Sequence, residues 1–160
     1  MAKKWRVAIL GLGHWYSAYN LARSLQEYPK AELVAVAWHN PAQLDTFANT
    51  FHIRGYRNYA ELLEREKIDI VHLAPPVAEM PACTMLAAQA GKHIVLGKPM
   101  AMTLEQADQM VAAVEQTGVP CVTLQGYRRL LSADLKTHLE AGVIGQLLVM
   151  HHTCRWSIAE

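Results

Sequence analysis

A short aliphatic run that leads directly into two closely spaced glycines constrains this chain more than any other feature. Val7-Ala8-Ile9-Leu10 has the composition of a buried strand, and Gly11-Leu12-Gly13 follows it and opens a segment of helical periodicity. Glycines permit a tight turn and a close approach of the main chain, while the free amides and positive dipole end of the following helix attract anions. The junction therefore predicts a binding site for the linked phosphates of a dinucleotide.

The third small position of the usual G-x-G-x-x-G/A pattern falls on Tyr16. A side chain at this position is expected to crowd the packing of the helix on the strand. His14 and Trp15 lie inside the loop, where we expect their main-chain amides to matter more than their side chains, which are expected at the surface. The candidate cofactor-binding residues of this loop are Gly11, Leu12, Gly13, His14 and Trp15.

Strand-like and helix-like patterns alternate along the chain, which is typical of parallel strands joined by crossover helices. We predict strands near 6–10, 32–37, 69–74, 93–96 and 121–124, with a short one near 55–56. Helices are predicted over 15–28, 41–51, 59–66, 78–90 and 104–117. This order predicts an α/β fold with a doubly wound, mostly parallel sheet, the Rossmann dinucleotide-binding fold, over residues 1–125.

Ligands of a doubly wound sheet bind at the carboxyl ends of its strands, near the point where the strand order reverses. The loops that leave the second and fourth strands are therefore expected to contact a cofactor. Their candidate residues are Trp38, His39 and Asn40 after the second strand, and Ala74, Pro75 and Pro76 after the fourth.

The last stretch of the chain, 126–160, follows a different pattern. A helix is predicted over 134–141 and a long strand over 146–156, and together they would lead into a second domain outside this chain. The strand has no visible partner, and a long unpaired edge is a liability for aggregation. We therefore expect it either to pair with another chain, as part of a homo-oligomer, or to belong to a sheet whose remainder lies outside this chain.

Composition excludes several classes of partner. The 160 residues carry a net charge of +1 without runs of one sign, so we expect neither nucleic acid nor a membrane surface as a partner. No apolar stretch is long enough to cross a bilayer, and a cytoplasmic location is expected. Cys83, Cys121 and Cys154 lack C-x-x-C spacing, which favours reduced thiols and argues against a bound metal.

Four stretches together resemble the N-terminal half of the Gfo/Idh/MocA family of oxidoreductases: 7–16, 68–76, 91–99 and 142–145. The most specific is AGKHIVLGKPMAMTLEQADQMV, which is similar to the family's A-G-K-H-V-x-x-E-K-P segment and the helix after it. The resemblance implies that NAD or NADP carries hydride to or from a sugar, polyol or related carbonyl compound. It also implies that a second domain binds this small-molecule substrate, so the isolated chain is expected to be inactive.

The resemblance places Lys98 beside the nicotinamide and the reacting oxygen of the substrate, which makes it the candidate catalytic residue. A lysine can orient that oxygen or help to move its proton, and partial burial would lower its pKa towards the working range. Lys98 and the following Pro99 are also candidate cofactor contacts, and a cis bond between them is possible.

The form of the cofactor stays open at the sequence level. Trp38 stands where the family often has an acidic residue, and an indole can only donate a hydrogen bond. The usual selection for NAD is therefore absent, and NADP is easier to accommodate, with His39 or Asn40 able to touch its 2'-phosphate. No arginine lies in that turn, however. Trp38 itself is either an apolar plug or a surface on which adenine stacks.

Other positions also differ from the family pattern. Gly97 stands in place of the glutamate before Lys-Pro, and Val77 and Met80 stand in place of an asparagine and a histidine. These differences keep a second hypothesis open, in which the chain is a degenerate, non-catalytic dinucleotide-binding or protein-interaction module. Fold alone does not distinguish the two.

Overall fold

A computed structural model of the chain describes residues 3–124, 133–143, 145–146 and 148–149. The chain divides into two compact units, Met1–Leu124 and Gln125–Glu160. Within the described ranges, no helix combines the length and the apolar character that crossing a membrane requires.

The first unit is built on a six-stranded parallel sheet. Its strands are β1 (Trp5–Leu10), β2 (Ala31–Ala37), β3 (Arg54–Tyr56), β4 (Ile70–Leu73), β5 (His93–Leu96) and β6 (Cys121–Thr123). Its α-helices are α1 (Trp15–Gln26), α2 (Pro41–Phe51), α3 (Tyr59–Arg65), α4 (Met80–Gln89) and α5 (Leu104–Thr117), and a short 3₁₀ turn, Val77–Glu79, precedes α4. The strand order is β3-β2-β1-β4-β5-β6, which confirms the doubly wound Rossmann fold.

The strand order reverses between β1 and β4, so the crevice expected to hold a ligand lies at the carboxyl ends of these two strands. The side chains of β1 alternate between two hydrophobic clusters. Ala8 and Leu10 belong to one cluster with Met80 and Leu96, and Ile9 belongs to the other with Phe47. Because each sheet face is covered, the central strand β1 is apolar on both sides from Val7 onward.

Local chemistry sets several helix ends where the sequence places them. The hydroxyl of Thr103 accepts a hydrogen bond from the amide of Gln106 at 3.3 Å and starts α5. Gly118 ends that helix in the left-handed region, with φ of +67°.

The second unit contains a helix, α6 (Ala133–Glu140), close to the predicted 134–141. Of the strand predicted over 146–156, the structure describes Gln146, Leu148 and Val149, and none of the three is in a strand. The other residues of that prediction lie outside the described ranges.

Candidate dinucleotide-binding site

The glycine loop between β1 and α1 passes directly against the loop that leaves β4. A Cβ at Gly11 would lie 2.5 Å from the N and Cα atoms of Pro75, and one at Gly13 would lie 2.6 Å from the N atom of Pro76. Gly11 also has φ of +92°, which L side chains rarely adopt. Both glycines are therefore required by this close approach, which brings 11–13 and 74–76 together as the sequence predicts.

Some main-chain amides of this loop donate hydrogen bonds within the chain, and others do not. Gly11 donates to the carbonyl of Ala37 and His14 donates to the carbonyl of Ala74, both at 2.9 Å. The amide of His14 is therefore not available to a ligand, contrary to expectation, because it joins the two loops. Within the described residues, four amides at the start of α1 donate to no acceptor: those of Leu12, Gly13, Trp15 and Tyr16.

The amino-terminal end of α1 has no group of its own to satisfy these donors. Its N-cap residue, His14, makes no side-chain capping hydrogen bond, and the first turn has no acidic residue. The free amides and the positive end of the helix dipole therefore act on the same small region. This arrangement suits an anion of more than one phosphate group.

The expectation that Tyr16 crowds the helix is wrong. Its side chain is 44% exposed and its ring stacks beside that of His14, with ring centroids 6.0 Å apart. Position 16 lies in the first helical turn on the solvent side, and α1 packs on the sheet through the buried Ala18 and Ala22 instead. The mouth of the loop is thus not closed by the phenol.

A cleft of about 580 Å³ opens beside the glycine loop and extends to the loop between β2 and α2. Trp38 forms one wall and is 5% exposed, as part of the hydrophobic cluster that contains Phe47. The residues around the cleft are Leu12, Gly13, Trp15, Tyr19, Trp38, Ala42, Gln43 and Thr46. Gln43 and Thr46 were not identified from the sequence. A polar residue on an exposed helix carries no signal that distinguishes a position lining a cleft from any other solvent-facing position.

Two polar atoms of the β2–α2 loop, Nε1 of Trp38 and Oδ1 of Asn40, form hydrogen bonds with Gln43 of α2. The indole Nε1 of Trp38 donates to Oε1 of Gln43 at 2.6 Å. Oδ1 of Asn40 accepts from the amide of Gln43 at 3.2 Å and caps α2. The exposed ring of His39 lies against the indole, with ring centroids 3.9 Å apart.

The Lys98-Pro99 segment leaves β5 next to the glycine loop. Its peptide bond is cis. A Cβ at Gly97 would lie 3.4 Å from Nδ1 of His14, so this glycine packs close to the imidazole. Lys98 is exposed. The side chain is therefore not partly buried, since Lys98 follows the solvent-facing end of its strand.

A buried histidine, His72, was missed by the sequence analysis. It lies on β4, is 1% exposed, and its Nε2 is 2.8 Å from the hydroxyl of Ser17. Burial, together with the nearby His14, lowers the pKa of His72 to about 4. A polar residue inside the apolar run of a central strand was the signal that could have identified it.

The imidazole of His14 is also partly enclosed, contrary to the expectation that it would lie at the surface. Burial and the charge of Lys98 lower the pKa of His14. The Nδ1 atoms of His14 and His72 are both buried without a hydrogen-bond partner among the described residues. Within the same residues, no group of three His, Cys, Asp or Glu side chains could hold a metal ion.

Comparison with known families gives a match over most of the chain. A family model described as an oxidoreductase family with an NAD-binding Rossmann fold, Gfo/Idh/MocA, matches residues 5–125. This confirms the resemblance found in the sequence.

Individual relatives agree with the family match. D-apiose dehydrogenase of Paraburkholderia graminis is 33% identical over 79% of this chain and 33% of its own length. The scyllo-inositol 2-dehydrogenase (NAD(+)) of Bacillus subtilis is 33% identical over 88% of this chain and 42% of its own length. The chain thus spans less than half the length of these relatives.

Solved structures show the same fold. An oxidoreductase of Agrobacterium radiobacter, in complex with NAD+, L-tartaric acid and magnesium, has a TM-score of 0.81 and 26% identity, over 90% of this chain and 42% of its own. The WlbA dehydrogenase of Bordetella pertussis, in complex with NADH and UDP-GlcNAcA, has a TM-score of 0.77 and 29% identity, over 88% of this chain and 43% of its own.

Proposed function

Because the chain belongs to the Gfo/Idh/MocA oxidoreductase family, with its NAD-binding Rossmann fold, we propose that it is the cofactor-binding part of a nicotinamide-dependent dehydrogenase or reductase. Its reaction transfers hydride between NAD or NADP and a sugar, polyol or related carbonyl compound. The names of the relatives, which are dehydrogenases of apiose and inositol, support this substrate class.

One observation carries the proposal: the glycine loop has four amides without an acceptor among the described residues, and they lie beside a cleft of about 580 Å³. Amides of Leu12, Gly13, Trp15 and Tyr16 can hold a diphosphate, and the cleft that begins at Gly13 can take the adenosine half. The residues present therefore fit a dinucleotide. These features also favour an oxidoreductase over a module that has lost its cofactor site, and the family match agrees.

The nicotinamide ring, when bound, supplies the carbon that accepts or donates hydride. Lys98 is proposed as the catalytic residue, because it follows β5 beside the loop that would hold the diphosphate. Its Nζ can donate a hydrogen bond to the reacting oxygen of the substrate and hold the proton that this oxygen gains or loses. Burial and the charge of Lys98 lower the pKa of His14, which favours a neutral imidazole beside the Lys98 cation.

Three further parts of the proposal rest on the sequence alone. The dinucleotide-binding domain extends over 1–125, and 126–160 leads into a region for substrate binding or oligomerisation. The segment 146–156 pairs with a second copy of the protein, and the protein is cytoplasmic. Light scattering on the purified chain tests the pairing of 146–156 with a second copy, because a monomer at micromolar concentration contradicts it.

The proposal is tested by titrating the chain with NADH and NADPH while its tryptophan fluorescence is measured, since Trp15 and Trp38 both line the cleft. The decisive variant is Tyr16→Glu. A carboxylate in the first turn repels a diphosphate and interacts favourably with the positive end of the helix dipole. We therefore expect at least about a tenfold loss of affinity, which corresponds to 1.4 kcal/mol, without a loss of thermal stability.

Tyr28→Glu is the matched control, because Tyr28 is 52% exposed and follows the other end of α1. It makes the same change of size and charge away from the loop and should bind as the unmodified chain does. If the unmodified chain binds neither coenzyme, the proposed function is wrong. Equal losses in the two variants would mean that the amides of α1 do not hold the diphosphate.

A further inference from the structure

The far end of the cleft has an unusual polar pair, Trp38 with Gln43. In Rossmann domains, an acidic residue about 20 positions after the glycine motif accepts a hydrogen bond from the ribose 2'-hydroxyl. Here the loop after β2 begins with the indole of Trp38, which cannot accept. The indole instead donates to Oε1 of Gln43 across 2.6 Å.

This hydrogen bond fixes which end of the Gln43 amide remains available. The oxygen and nitrogen of a glutamine are usually assigned from the hydrogen-bond network. An indole N–H can only donate, so the atom that it meets must be the oxygen. The NH₂ group of Gln43 is then left without a partner among the described residues, in a side chain that lines the cleft.

The surroundings of Gln43 carry no competing charge. Among the described residues, the lining of the cleft contains neither a carboxylate, which would repel a 2'-phosphate, nor a lysine or arginine, which would attract one. The amide oxygen of Asn40 is used to cap α2. That contact leaves the NH₂ group of Asn40 as a second fixed donor, but Asn40 is not among the residues that line the cleft, whereas Gln43 is.

We propose that Gln43, oriented by Trp38, is the residue that sets cofactor specificity. It presents a hydrogen-bond donor where the acidic residue of an NAD-selective domain presents an acceptor. This inference rests on the proposed function and names its selectivity: the chain accepts NADPH at least as readily as NADH.

The chemistry of the two riboses provides a sharp test. A 2'-hydroxyl can either accept from Gln43 or donate to a carboxylate, whereas a 2'-phosphate only accepts and is negatively charged. In Gln43→Glu, one carboxylate oxygen can still accept from the indole of Trp38 and the other faces the ribose. NADH should tolerate this change, and NADPH should not.

The experiment measures dissociation constants for NADH and NADPH with the unmodified chain, Gln43→Glu and the control Gln116→Glu. Gln116 is an exposed residue of α5, a helix that packs against α4 and not against the cleft. We expect Gln43→Glu to weaken the binding of NADPH by about tenfold or more relative to that of NADH. The dissociation constant for NADH itself should change by less than about threefold. The control should leave the ratio of the two constants unchanged.

A change of opposite sign provides a second variant. Gln43→Lys adds a cation, and we expect the ratio of the two dissociation constants to change several-fold in favour of NADPH binding. If either variant fails to fold, as judged by thermal unfolding, the other still decides the question.

The failure of the inference is separate from that of the proposed function. An unmodified chain that binds NADH but excludes NADPH overturns the inference and leaves the proposed function in place. The inference is also overturned if Gln43→Glu or Gln43→Lys changes the ratio of the NADH and NADPH dissociation constants no more than Gln116→Glu does. Binding of neither coenzyme by the unmodified chain rejects the proposed function itself.

Discussion

The six-stranded sheet has an amino-terminal edge and a carboxyl edge, where its parallel strands begin and end. The two edges differ in how many of their polar groups have hydrogen-bond or ion-pair partners. At the amino-terminal edge, charged side chains pair with one another: Lys3 with Asp69 at 2.6 Å, Arg6 with Glu32 at 3.0 Å, and Arg54 with Glu66 at 2.8 Å. At the carboxyl edge, four amides and two imidazole nitrogens have no partner within the described residues.

Glu66 shows how the amino-terminal edge is stabilised. Its side chain is 4% exposed and accepts hydrogen bonds from Arg54 and from the hydroxyl of Tyr56, each at 2.8 Å. Burial by itself favours the neutral acid, but these hydrogen bonds and the charges of Arg54 and Arg6 lower the pKa of Glu66 overall. The carboxylate therefore stays ionised and paired in the folded chain.

The difference between the edges indicates where a ligand is expected. A buried or preorganised donor without a partner lowers stability, and it is retained where a ligand completes the hydrogen bond. The paired edge contributes to folding, and the unpaired edge is available for binding. This division can be tested by substitutions that act on one edge at a time.

The largest effect is expected for Gly11→Ala. Gly11 lies at the carboxyl edge, so a large loss of stability would show that the binding edge also contributes to folding. The new Cβ would lie 2.5 Å from Pro75 in a residue with φ of +92°. We expect the free energy of unfolding to fall by about 3 kcal/mol or more, measured by chemical denaturation.

The control for this substitution is Gly91→Ala. Gly91 also has a positive φ, of +68°, but its Cβ would meet nothing within 4 Å. The expected loss is about 1 kcal/mol, from the backbone conformation alone. Similar losses in the two variants would contradict the view that close approach of the two loops is what requires Gly11.

Glu66→Ala tests the paired edge. It removes an acceptor shared by Arg54 and Tyr56, and we expect the free energy of unfolding to fall by about 2 kcal/mol. Glu61→Ala is the matched control, since its ion pair with Arg65 is exposed and contributes at most about 0.5 kcal/mol. Both variants should keep the NADH affinity of the unmodified chain. A loss of affinity in Glu66→Ala would mean that the two edges are coupled.

The smallest effect concerns the pH dependence of stability at the unpaired edge. The pKa of His72 is about 4 in the folded chain, against an ordinary value of 6.5. The unfolded chain therefore takes up the proton first as the pH falls, and the stability present above pH 6.5 is lost progressively towards pH 4. Between pH 7 and 5.5 we expect a loss of about 1 kcal/mol from this residue.

The measurement compares unfolding curves at the two pH values for the unmodified chain and His72→Asn, whose amide cannot titrate but can bond to Ser17. The variant should lose about 1 kcal/mol less over this interval. His52→Asn, at an exposed position, is the control for the loss of a histidine. An unchanged pH dependence in His72→Asn would exclude His72 as the source.

Features of the site that depend on neighbours along the chain were predictable from the sequence. The glycine loop, its strand and its helix are contiguous, and Thr103 and Gly118 limit α5 through bonds to residues within one turn. The pairing of Trp38 with Gln43 was not predictable, because it depends on the angle at which α2 leaves the sheet. The contact of Ser17 with His72 joins residues 55 positions apart.

The sequence by itself determined the alternation of strands and helices, the parallel sheet and the place of the phosphate loop, because these follow from periodicity, glycine conformation and capping chemistry. The tertiary structure decided which donors remain free. Hydrogen bonds between distant segments use the amide of His14 and the oxygen of Gln43, and only the packing of the two loops on the sheet shows which atoms are left over.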